Sequence, residues 1–187
     1  MSQTSRRNGY GLPVEEGMYD PLNEHDACGF GFIADIHNEP RHEIVHQALD
    51  IVHHMDHRGA IGADPMAGDG AGILIQLPDA FIRKVFAKQG VEVPAKGDYA
   101  LGMVFLPRDH KLRDLAIKAI EKTTADEGQV LLGWRDVPTD NSVLGESVKP
   151  NEPVIKQVLI QRGPDTADNA AFERKLYVIR KQAHHAL

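Results

Sequence analysis

The sequence predicts a layered α/β or α+β fold, and three observations predict it. Apolar runs of strand length are separated by stretches with apolar residues every third or fourth position. Gly, Pro, Asn and Asp cluster between them. Apolar residues make up 42% of the chain and charged residues 26%, the balance of a globular domain rather than a disordered segment.

The first 27 residues hold Gly9, Gly11, Pro13, Gly17 and Pro21 with scattered acids and no periodicity, so they read as an extended leader. Residues 28–36 form an apolar run expected to be the first strand, closed by the polar turn His37-Asn38-Glu39-Pro40. Residues 41–57 carry Ile44, Val45, Ala48, Leu49, Val52 and Met55 at helical spacing, with Gly59 as the expected stop. Residues 60–72 are rich in Gly and Asp, and residues 73–77 are expected to form a strand. Pro78 suits the first turn of a helix whose buried side is Phe81, Ile82, Val85 and Phe86. A strand over 99–106 follows, then a helix over 110–124 resting on Leu112, Leu115, Ala116, Ala119 and Ile120. Strands over 130–134 and 154–160 and a last helix over 172–186, with Phe172, Leu176 and Ile179 on one side, complete the order.

Composition also excludes functions. A net charge of −6 with no basic face argues against binding nucleic acid through its phosphates. No apolar run approaches the roughly 18 residues of a membrane span. Arg6-Arg7 is followed by polar residues, so it does not open a secretory signal. One cysteine precludes an internal disulfide and suits a reducing compartment, which makes the cytoplasm the expected location.

Three features could carry chemistry. Cys28 is the only cysteine and stands between small residues, Ala27 and Gly29, at the head of an apolar run. A lone cysteine is often a small buried hydrophobe. As a nucleophile it would need a base, and cleavage before it would supply one. The freed α-amine would titrate near pH 7.7–8.0 on the nucleophile's own residue. His57-Arg58-Gly59 ends the first helix, where Arg58 either caps the helix in solvent or turns inward to hold backbone or substrate oxygens. Ten histidines include the i, i+4 pairs His42/His46 and His53/His57, a spacing that can bind zinc, although no third ligand stands at a familiar offset.

The segments Asp26-Ala27-Cys28-Gly29-Phe30-Gly31-Phe32-Ile33-Ala34, His57-Arg58-Gly59-Ala60 with Gly62-Ala63-Asp64, and Gly68-Asp69-Gly70-Ala71-Gly72-Ile73-Leu74 stand in this order. Together with Ile44-Val45, Ala48-Leu49 and residues 172–181, they closely resemble the start of the glutamate synthase large subunit. The resemblance implies a class II glutamine amidotransferase domain with the α+β, αββα sandwich of the N-terminal-nucleophile hydrolases. It implies a removable propeptide, 1–27, and a partial amidotransferase domain, 28–187, whose sandwich and catalytic pocket are expected to be incomplete at the C-terminus. Cys28 would attack the side-chain amide of L-glutamine, and Arg58 and Gly59 match the Arg-Gly pair beside that nucleophile. Ammonia would pass on toward 2-oxoglutarate in other domains or subunits of a glutamate synthase. The resemblance implies no cofactor in this segment, FMN and an iron–sulfur cluster belonging to the rest of the parent. The alternative is a catalytically inactive fragment acting as an interaction module, with a zinc hydrolase built on the histidine pairs as a third reading.

Overall fold

A computed structural model of the 187-residue chain describes residues 16–18, 29–59, 64, 66–68 and 70–186. The chain divides into two compact units, Met1–Ala60 with Asp69–Ile73, and Ile61–Gly68 with Leu74–Leu187. Helices and one small antiparallel sheet make it an α+β protein.

The second unit is built on a three-stranded sheet. Its strands are β1 (Tyr99–Leu106), β2 (Val130–Asp136) and β3 (Val154–Gln161), in the order β1-β3-β2. Both outer strands run antiparallel to β3, with Tyr99 opposite Gln161 and Leu106 opposite Val154. The central position explains why Val158, Leu159 and Ile160 are buried in succession, because both faces of β3 are covered. On one face Leu159 and Tyr99 pack with Ile82 and Phe86 of helix α2 (Asp79–Ala87). On the other, Val158 and Ile160 meet Phe172 of helix α4 (Asn169–His185). Leu131, Trp134 and Leu176 fill in around that second cluster.

Each of the two longer helices of this unit opens on an aspartate. Asp109 accepts the Leu112 N–H at 2.9 Å to start helix α3 (His110–Asp126). Asp168 accepts the Ala171 N–H at 2.7 Å to start α4. Each carboxylate satisfies a donor that the first turn leaves without an intrahelical partner.

Of the face expected on α3, Ala116 is buried and Ala119 and Ile120 are partly buried, but the two leucines are not. Leu112 and Leu115 are 55% and 58% exposed, while Ala116, Thr123 and Thr124 are buried. Threonine can occupy a helix interior here because its hydroxyl has a local acceptor. Thr123 donates to the Ala119 carbonyl at 2.8 Å and Thr124 to that of Ile120 at 2.7 Å. Phe81 of α2 is likewise half exposed rather than buried, with the Arg135 guanidinium 5.6 Å above its ring.

The first unit contains helix α1 (Glu43–His54) and a 3₁₀ turn, Asp56–Arg58. α1 has the expected apolar stripe but no buried residue. The strands expected over 28–36 and 73–77 are not formed by the described residues, which run without ladder partners. Position 28 itself lies outside the described residues. An apolar run supplies side chains for a sheet face, but a strand also requires a neighbour to take its N–H and C=O groups.

Candidate active site

The described part of the expected site lies where residues 29–31 cross the end of α1. A Cβ placed on Gly29 would stand 2.8 Å from the Met55 sulfur and 3.4 Å from Cβ and Cγ of Arg58. A Cβ on Gly31 would stand 2.7 Å from Cγ2 of Ile51. Two residues of extended chain span about 6.6 Å. Four residues of helix rise about 6 Å. Gly29 and Gly31 therefore match Met55 and Ile51 one turn apart, and the segment runs antiparallel to α1. Only glycine leaves room for this approach.

This differs from the buried strand expected of an apolar run. The glycine side of the segment faces the helix, while Phe30 and Phe32 are 85% and 79% exposed, their rings 6.5 Å apart. Small and large residues alternate along the segment, with the helix against the small ones.

A tight turn leads from this segment into α1. Oδ1 of Asp35 accepts the His37 N–H at 2.7 Å and the Glu39 N–H at 3.3 Å, and Arg41 binds Oδ2 at 2.7 Å. The Glu39 and His37 amides hold the Asp35 carboxyl below its ordinary value. Asn38 takes a positive φ of 56°, which asparagine tolerates better than most residues.

α1 ends by tightening. The Met55 N–H reaches the Ile51 and Val52 carbonyls, each at 3.1 Å. Arg58 N–H then donates to the Met55 carbonyl at 2.8 Å and Gly59 N–H to that of Asp56 at 3.0 Å. Gly59 leaves in an extended conformation, φ −83° and ψ 158°, so the expected left-handed glycine stop is replaced by a 3₁₀ turn. The turn carries the Arg58 stem to the residue that follows Cys28.

Of the three expected site residues, Arg58 stands beside Gly29, Gly59 closes the 3₁₀ turn against the Asp56 carbonyl, and Cys28 is outside the described residues. Sequence reading missed Met55 and Ile51 as the side chains on which this segment rests. Their signal was the match of a Gly-x-Gly pair to two helix positions four apart.

The histidine pairs show no metal cage. The rings of His42 and His46 meet edge to face at 4.8 Å, and the His57 Nδ1 lies 3.0 Å from the His54 carbonyl. Among the described residues, no group of three or more His, Cys, Asp or Glu side chains is arranged to hold a metal ion. Nor is any helix among them long and apolar enough to cross a membrane. Away from these residues, a groove of about 230 Å³ at the end of the sheet is lined by Arg108, Asp136, Glu152 and Ile155, among others. It holds none of the expected site residues.

Comparison with known families gives the class directly. The model described as "Glutamine amidotransferases class-II" matches residues 28–187, and the chain belongs to that family. It is 44% identical over 174 residues to the glutamate synthase [NADPH] large chain of Bacillus subtilis, covering 93% of this chain and 11% of that protein. It is 39% identical over 181 residues to the glutamate synthase [NADH] of Schizosaccharomyces pombe, covering 94% and 9%. It is 37% identical over 159 residues to the ferredoxin-dependent glutamate synthase 2 of a Synechocystis strain, covering 85% and 10%. The chain therefore spans about a tenth of the length of these relatives.

Proposed function

We propose that this chain is the glutaminase part of a glutamate synthase, hydrolysing L-glutamine to glutamate and ammonia with Cys28 as nucleophile. The observation that carries the reading is the family match beginning at Cys28, with the next residue packed on Arg58. Residues 1–27 are then a propeptide. Its removal converts the Cys28 amide nitrogen into an amine able to accept the thiol proton.

The thiolate adds to the glutamine Cδ, and the tetrahedral intermediate collapses as the same amine returns a proton to the leaving nitrogen. Ammonia departs and a γ-glutamyl thioester remains. Water, deprotonated by the amine, adds to the thioester, which breaks to glutamate and the free thiol. Arg58 and Gly59 shape the wall beside the sulfur. Ammonia then passes to other domains or subunits of the parent enzyme for addition to 2-oxoglutarate. FMN and an iron–sulfur cluster are assigned to those parts. The single cysteine of this chain cannot furnish the set of thiolates such a cluster requires. The expected setting is the cytoplasm, where a lone thiol stays reduced.

Intact mass of a preparation that hydrolyses glutamine tests the base directly. Loss of residues 1–27 is expected, and a leader still joined to Cys28 in the active species overturns the mechanism. A diazoketone analogue of glutamine is expected to label Cys28, with labelling abolished by Cys28→Ala.

The exposure of Phe30 and Phe32 favours a second reading, in which the chain is catalytically inactive and acts by docking. Concentration-dependent sedimentation without glutaminase activity would select it.

A further inference from the structure

Gly29 lies in a slot one helical turn wide, and a thioether forms one wall of it. A Cβ on Gly29 would stand 2.8 Å from the Met55 sulfur and 3.4 Å from Cβ and Cγ of Arg58, so the backbone here rests on both side chains. Met55 and Arg58 are three residues apart and neighbours on the turn, where the Arg58 N–H donates to the Met55 carbonyl at 2.8 Å. Gly29, Met55 and Arg58 all belong to one compact unit. Met55 is partly exposed, so a small oxidant can reach its side chain. Met18, Met66 and Met103 are more exposed, and the atoms nearest a Cβ on Gly29 belong to none of them.

We propose that Met55 is a redox-modification site whose oxidation slows the glutaminase reaction. A hydroperoxide gives one oxygen atom to the Met55 thioether. The O–O bond breaks and an S–O bond forms; the sulfur loses two electrons, and the peroxide is reduced to water or an alcohol. The resulting sulfoxide is polar and chiral where the thioether was apolar. Between this sulfur and Gly29 there is no room for one more carbon, and the backbone Cα offers the new oxygen no hydrogen bond. The sulfoxide therefore turns to solvent, and Gly29 loses one of its two supports. Consecutive Cα atoms are about 3.8 Å apart, so Cys28 moves when Gly29 moves. Misplacing a reacting group by about 1 Å can cost on the order of 10²-fold in rate. This inference rests on the glutaminase reading, so its test has one arm that needs no turnover.

The first arm measures glutamine hydrolysis by the full chain. Peroxide also oxidises thiols, so Cys28 is first capped as a mixed disulfide with methanethiol. Hydrogen peroxide is then applied, and dithiothreitol frees the thiol while leaving sulfoxides in place. Peptide mass spectrometry follows each methionine. Hydrolysis is expected to fall about tenfold against the same protein cycled without peroxide, in proportion to the sulfoxide at Met55. Methionine sulfoxide reductases should restore it. Met55→Leu, a volume-conserving swap without the thioether, should keep its own untreated rate through the cycle. The Met18→Leu/Met66→Leu/Met103→Leu triple variant should lose activity as the wild type does. An equal loss in Met55→Leu, or an unchanged rate with Met55 oxidised, overturns the proposal.

The second arm follows alkylation of the freed Cys28 thiol by iodoacetamide in the same samples. Oxidation of Met55 is expected to accelerate alkylation several-fold in the wild type and the triple variant, and to leave it unchanged in Met55→Leu. An unchanged alkylation rate with Met55 fully oxidised means that the support on Gly29 is not released, and overturns the coupling between the two residues. Hydrolysis that survives Cys28→Ala overturns the glutaminase reading instead, and alkylation still judges the switch at Met55.

Discussion

The two units of this chain are stabilised in opposite ways. In the sheet unit, Ile82, Phe86 and Leu159 are completely buried, and helices cover both faces of β3. In the unit that holds Gly29, Arg58 and Gly59, α1 buries no residue, and two phenylalanines lie open to solvent. What fixes the second region is close backbone approach, a carboxylate-bound turn and a 3₁₀ ending. The sheet unit spends its apolar residues on a core, whereas the other spends small residues on bringing backbone and an arginine stem together. A region organised by approach is sensitive to added atoms, while a packed core is sensitive to lost ones.

The largest effect tests which region carries chemistry. Cys28→Ala is expected to lower glutamine hydrolysis by about 10³-fold or more, since no other thiol can form the acyl intermediate. The thermal transition of the sheet unit should be unchanged. Steady-state ammonia release and a melting curve on one preparation check both halves.

Core deletion should have the converse profile. Leu159→Ala empties a site with neighbours on α2 and β1, and a loss of about 2–5 kcal/mol is expected in denaturant unfolding. The midpoint should fall without a change in the slope.

Adding one methyl to the other region should act by collision. Gly31→Ala sets a Cβ 2.7 Å from Ile51 Cγ2, a branched side chain on a helix that cannot swing away freely. The expected cost is about 1–3 kcal/mol. Ile51→Ala in the same chain should relieve much of it, so the pair departs from additivity. Gly29→Ala should cost less, because the nearest atom is the sulfur of a flexible methionine.

These contrasts explain what could be read in advance. The three strands of the sheet, β1 over 99–106 above all, were legible because their apolar runs match a buried sheet and their ends carry turn residues. The helices were legible from their spacing and boundaries. Thr123 and Thr124 as core residues of α3 were not, because their hydroxyls bond inside the helix and hide their polarity, while Leu112 and Leu115 stay exposed. The extended segment after Cys28 was misread for a related reason. Alternation reveals that two sides differ, but not that the glycine side would be the covered one. The hydrogen bond that the Asp64 carboxylate accepts from the Ser147 hydroxyl was invisible, since nothing local links positions 83 apart.

The smallest effect concerns how α2 is tied to the sheet. The Tyr99 hydroxyl donates to Asp79 Oδ1 at 2.7 Å, while Arg83 binds both Asp79 oxygens and the carbonyls of Val93 and Pro94. Burial first, and then the Asp79 carboxylate, push the Tyr99 hydroxyl up to about 12. The hydrogen bond from Arg83, and then that from Tyr99, hold the Asp79 carboxyl below its ordinary value. A phenol whose folded value is raised stabilises the fold fully below the ordinary value near 10, and that contribution fades as pH rises toward 12. A carboxyl whose folded value is lowered stabilises above its ordinary 3.8, and that contribution fades as pH falls below it. Wild-type Tm should therefore decline at both extremes. Tyr99→Phe should lower the plateau by about 2–4 °C, as expected for a single hydrogen bond in a chain of this size. It should also remove much of the alkaline decline and keep the acid one, because Arg83 still holds Asp79. An alkaline decline of the same size in Tyr99→Phe would mean that other groups set it, and that the polar tie on α2 is weaker than its short distances imply.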